Sequence, residues 1–180
     1  MPIDIPSPKP FHMPIFKPLK SPFRILWERQ FGQSTTVNVT ANLIPTIINC
    51  YLFDPTSYTT GNATPISGST QQAGYQVLIV VSLFENINGQ ATCRNAATYP
   101  DSSDQQPVQI WHSVGSGAFA LLYTVTTGKD ADVGSPAHCG ANKLFTLLPA
   151  GQHNFYAYFA GNQYLQGCRG KAVKSFACNC

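Results

Sequence analysis

The chain has 180 residues, 43% of them apolar and 12% aromatic, enough for one domain with a real core plus an extension. Only 11% are charged, well under the usual share, so the polar surface must rest on Ser, Thr, Asn and Gln. The net charge of +3 lies entirely in residues 1–33, where five basic residues face two acidic ones; the other six basic and six acidic residues cancel. So small an excess argues against nucleic acid as the main partner, and no apolar run is long enough for a membrane helix.

Residues 1–33 read as an extended arm. Proline stands at 2, 6, 8, 10, 14, 18 and 22, which removes backbone donors and pushes each preceding residue toward extended geometry. The same prolines interrupt any apolar h-region, so no secretory signal is expected here. Between and after them sit Ile3, Ile5, Phe11, Met13, Ile15, Phe16, Leu19, Phe23, Ile25, Leu26, Trp27 and Phe31. Disordered tails are poor in such residues. An extended segment buries nothing alone, so these side chains call for a groove on this domain or on another chain.

From Ser34 to the end, the pattern is strands and turns. Residues 36–40 alternate, and 43–53 are apolar and hold Cys50. Residues 54–74 read as a long loop. The clearest strand is 75–84, with Val77, Ile79, Val81 and Leu83 on one face. Its other face, Leu78, Val80 and Phe84, is also apolar, which predicts a covering arm or neighbour. A turn at 86–89 and a loop at 95–107 follow. Strands are expected at 108–112, 118–126, 142–148, 152–159 and 171–180, the fourth of these with Phe155, Ala157 and Phe159 inward. No helix of ten or more residues is expected. Seven to nine short strands point to an all-β sandwich.

The segment 75–173 resembles the immunoglobulin-like repeat domains of prokaryotic and viral surface proteins. The resemblance rests on the strand and Asn/Gly turn at 75–89, on the strand, Gly-Ser-Gly turn and Thr-rich strand at 108–134, and on LPAGQHNFYAYFAGNQYLQG. It implies an immunoglobulin-like β-sandwich and brings no catalytic motif. Long loops, six cysteines and a single copy depart from the tandem modules of that family and favour a stand-alone building block.

The even cysteine set, Cys50, Cys93, Cys139, Cys168, Cys178 and Cys180, suggests disulfides in one of 15 full pairings. Zinc is disfavoured because no C-x-x-C pair occurs, and free thiols remain open. Histidines 12, 112, 138 and 153 form no nucleophile–base set by spacing, and each is read as a packed or surface residue. Asp101 with Asp104, and Asp130 with Asp132, sit in turns, where Asp bonds its own backbone. Two carboxylates are too few for a convincing calcium site. Asn62 and, less readily, Asn38 match glycosylation sequons. Tyr156 and Tyr158 should point outward, either to stack on sugars or to cover a subunit contact.

These readings lead to a non-enzymatic structural subunit of a self-assembling particle, without cofactor. In its most concrete form it is a virion coat or decoration protein whose arm docks onto neighbouring subunits. Its partners are then itself or other proteins of the assembly, on a virion or an extracellular surface. The alternatives are a pilus-like filament subunit that polymerises by strand donation, and a cell-surface carbohydrate-binding or adhesion module.

Overall fold

The structure, a computed structural model, describes residues 23–28, 34–39, 42–59, 63–147 and 150–179. They belong to two compact units, one within 1–41 and the other spanning 42–180. In the first, β1 (Phe23–Glu28) pairs antiparallel with β2 (Ser34–Val39), Phe23 opposite Val39 and Glu28 opposite Ser34. A strand here corrects the expectation of no regular element before residue 34, and the hairpin straddles the boundary placed at 33/34. The reason is local. Proline recurs only as far as Pro22, and nothing in 23–39 removes a ladder donor.

The second unit is a two-sheet β-sandwich. Its elements are β3 (Thr46–Phe53), α1 (Pro55–Thr59), β4 (Thr70–Gln72), β5 (Gln76–Ile87), β6 (Gln90–Thr92), β7 (Pro107–Val114), β8 (Ala120–Thr126), β9 (Gly140–Thr146), β10 (Gly151–Phe159), β11 (Cys168–Arg169) and β12 (Val173–Cys178). One sheet runs β4-β12-β10-β7-β8, with β11 added to β10. In the other, β5 pairs with β3 along one edge and with β9 and then β6 along the other. Three strands ordered β3-β5-β9 facing β12-β10-β7-β8 make the A-B-E over G-F-C-C′ arrangement of an immunoglobulin-like sandwich. The parallel pairing of β4 with β12 adds a fifth strand to the second sheet.

Alternation builds the core. Val77, Ile79, Val81 and Leu83 of β5 meet Ile110 and Val108 of β7 and Phe155, Ala157 and Phe159 of β10, all essentially inaccessible to water. Each buried side chain of this size contributes roughly 1.5–3 kcal/mol. The β5–β6 hairpin closes at Asn88 and Gly89, with φ of 53° and 83°. Two successive left-handed residues make the tight turn that suits strand twist, and Asn-Gly tolerates it best.

Three features escaped the sequence reading. The stretch 54–74 holds α1 and β4. Asp54 caps the helix by accepting from the Ser57 amide at 2.7 Å, and the Tyr75 hydroxyl bonds its other oxygen. Strands β6 and β11 are too short to show a period. Leu78, expected on an outer face covered by the arm or a neighbour, is fully buried. Its cross-strand neighbours are Phe53 and Leu144, and α1 lies against β5 at this end, with the Tyr58 and Phe53 rings 5.6 Å apart. Farther along the same face Val80 and Phe84 are half-buried and Tyr51 is 44% exposed.

Candidate interaction surface

The outward residues of β7 and β10 face away from the core of the five-stranded sheet. Tyr156 lies directly opposite Trp111 in the ladder, and the two rings are parallel within 2°, centroids 6.1 Å apart. On the other flank of β10, β11 brings Arg169 opposite Tyr158 and sets its guanidinium 3.9 Å above the Tyr156 ring. Phe119 meets Tyr156 edge-on at 4.8 Å. The Trp111 indole N–H donates to Gln109 at 3.1 Å, so its one polar atom is satisfied.

Planar groups on three adjacent strands thus form a ladder, Arg169–Tyr156–Trp111. Each such contact is worth roughly 0.5–1 kcal/mol on a surface. Beside it, Leu121 is paired with Trp111 across a bulge and is 49% exposed. The face therefore presents ring edges, one guanidinium and a bare Leu. A sugar platform needs an open ring face, and both faces of Tyr156 are flanked. Protein contacts use this composition, because Tyr, Trp and Arg give large rigid area with polar tips.

Two buried polar clusters lie elsewhere. At one end of the sandwich His112 and His153 are hydrogen-bonded at 2.9 Å, inside a cage of Phe145 and Phe155. Burial, with the neighbouring imidazole second, pulls His112 down to about 4. At the other end Glu85 is wholly buried and accepts from the Ser103 amide, and Arg94 Nε lies 3.6 Å from its second oxygen. Arg94 also reaches Asp101 at 3.3 Å and lies under the Tyr99 ring. Asp104, nearly inaccessible, accepts from the Ala96 amide at 2.9 Å and faces His138 at 3.4 Å. Gly128 at φ 71° makes room for that carboxylate, which a Cβ would strike.

These clusters are structural in their bonding. In the first, the imidazoles bond each other inside an aromatic cage. In the second, the hydroxyls are engaged or enclosed: Ser103 Oγ lies against the Cys139 sulfur and Thr127 Oγ1 donates to the Ser103 carbonyl. Asp130 accepts from the Thr126 amide and Asp132 binds Lys143 at 2.7 Å, so the two carboxylates serve separate partners. Among the described residues no group of three or more metal-ligating side chains occurs.

The cysteines divide. Cys93 and Cys139 form a disulfide, and Cys178 is also disulfide-bonded, while Cys180 lies outside the described residues. Cys50 and Cys168 are free thiols, which corrects their candidacy for a bridge. Cys50 points into the core from β3, where burial pushes its thiol up to about 12. Cys168 is half-buried and takes a hydrogen bond from Thr46 at 3.0 Å. Of the arm residues, Phe23, Ile25, Leu26 and Trp27 lie in β1 and Asn38 lies in β2. Ile3, Ile5, Phe11, Met13, Ile15, Phe16, Leu19, Phe31 and Asn62 fall outside the described residues. Tyr156 and Tyr158 sit on the outer face, as alternation predicts. Arg169, Phe119 and Leu121 were not singled out, since only register brings them beside Trp111.

No protein-family model matches the chain, and no curated protein is similar enough in sequence to count as a relative.

Proposed function

We propose that the chain is a non-enzymatic structural subunit of a self-assembling particle, most concretely a virion coat or decoration protein, built on an immunoglobulin-like surface module. The observation that carries this reading is the Arg169–Tyr156–Trp111 ladder beside exposed Leu121, a contact-type surface with no reactive group within it. The apolar N-terminal segment supplies the second contact. The Cys93–Cys139 bridge suits an oxidising surface environment. A pilus-like filament is the second reading, favoured by the edge of β8, which among the described residues pairs only with β7, because head-to-tail strand donation propagates into filaments when its rotation does not close. The flanked faces of Tyr156 speak against the carbohydrate-binding alternative.

Light scattering on the full chain and on a chain starting at residue 42 tests the proposal. Among the described residues, every member of the hydrophobic core lies after residue 42, and the shorter chain holds both sheets of the sandwich. The full chain should run as an oligomer and the shorter one as a monomer. An equal number of chains per particle sinks the arm-docking reading.

A further inference from the structure

We infer that the outer edge of β8 is the acceptor for the β1–β2 hairpin of a second copy, which joins the five-stranded sheet there as an additional pair of strands. This inference rests on the assembly reading above and names its docking site.

A two-stranded hairpin alone in water is marginally stable at best and needs a third strand or a surface. The β1–β2 pair has only six residues a side, and its facing positions are rich in Phe, Ile, Trp and Val.

The acceptor follows by comparing edges. Strand β3 is bridged at both ends, Ile44 to Leu165 and Phe53 to Pro65. The outer side of β9 is covered by the preceding loop. There the Asn142 amide donates to Asp130 O at 3.0 Å, and the Leu144 amide donates to the Asp132 carboxylate at 2.9 Å. Strands β4 and β6 have three residues each. Strand β8 is different. Its seven residues, ALLYTVT, end the sheet, and none of them is charged or proline. Natural edges are usually guarded by a Lys, a Pro, a bulge or a cover. Here the guards are a register shift at Leu122 and, at the far end, the 129–130 turn, which takes the Thr126 amide on the Asp130 carboxylate, so the open stretch of the edge centres on Thr124. An added strand would also lie beside Leu121 and extend the ladder of Trp111 and Tyr156 by one strand.

The test uses the full chain throughout. Two lysines are placed on exposed edge positions, Leu121→Lys with Thr124→Lys, and separately the donor ladder is broken by Ile25→Pro. Particle mass is followed by light scattering against concentration, and the melting temperature reports whether the sandwich is intact. The expected result is that each variant raises the concentration for half-assembly by about tenfold or more, with melting of the sandwich unchanged. Thr124→Lys alone serves if the double variant melts early. Assembly that Ile25→Pro abolishes but the edge lysines leave untouched overturns the acceptor and leaves the assembly reading standing. A full chain that is monomeric at every concentration overturns both.

Discussion

The two ends of the sandwich bury polar groups by opposite means. At one end burial in an aromatic cage, beside His153, holds His112 well below the ordinary imidazole range. At the other Glu85 is kept beside a guanidinium under a disulfide-tied loop. Phe145, which contacts both histidines, pairs with Val77, eight residues before Glu85 along β5. The clusters are therefore roughly 25 Å apart, too far to influence each other in salt. The comparison teaches that an uncharged imidazole such as His112 costs little in an apolar cage until pH charges it. A buried ion is safe only while its counter-ion and covering loop stay in place.

The largest effect should come from the charged end. Arg94→Ala leaves Glu85 buried with a backbone amide as its main partner, and unfolding by denaturant should show a loss of about 3–5 kcal/mol. Glu85→Gln in the same background should recover part of it, because an uncharged amide tolerates burial. No recovery would mean that Arg94 acts only by packing. Cys93→Ser sharpens the same point. The bridge closes a separation of 46 residues, for which chain entropy gives about 4 kcal/mol. Because Arg94 follows Cys93 in the chain, the two losses should fall short of additive.

The neutral end should respond to pH. The native His112 value of about 4 lies below the ordinary value of an unfolded histidine. The unfolded chain therefore binds more protons between these values. Stability should be full above about pH 6.5, decline as pH falls toward 4, and decline no further from this group below that. His112 is only partly buried, so screening trims the effect to about 1–2 kcal/mol. Denaturation of the native chain at pH 7 and 4.5, set against His112→Gln, checks it. An unchanged slope in the variant would rule out His112 as the sensor.

The smallest effect belongs to the surface ladder. Arg169→Ala should cost the sandwich only about 0.5–1 kcal/mol. A measurable drop in assembly at unchanged fold would mark the ladder as a contact. A large loss of stability with no effect on assembly would make it a sheet brace.

Much of this architecture is legible as period. The alternation of β5 and β10 named Val77, Ile79, Val81, Leu83, Phe155, Ala157 and Phe159 as core, and every one is buried. Asn88 and Gly89 marked the hairpin because few residues accept a left-handed backbone. Strand β1 was hidden by extrapolating the proline pattern past Pro22. Histidines 112 and 153 were each visible as packed residues, but nothing along the chain shows that 41 positions apart they share a hydrogen bond.

The amino-acid order by itself determined the all-β class, the inward rows and the turns, because these follow from backbone sterics and a two-residue repeat acting over a few positions. Only the tertiary structure decided which cysteines pair, that Leu78 is buried at the end of β5 where α1 lies, that Arg94 reaches Glu85, and that Arg169 covers Tyr156. Those contacts depend on strand register between segments far apart in the chain. A shift of one residue there would turn every side chain to the other face.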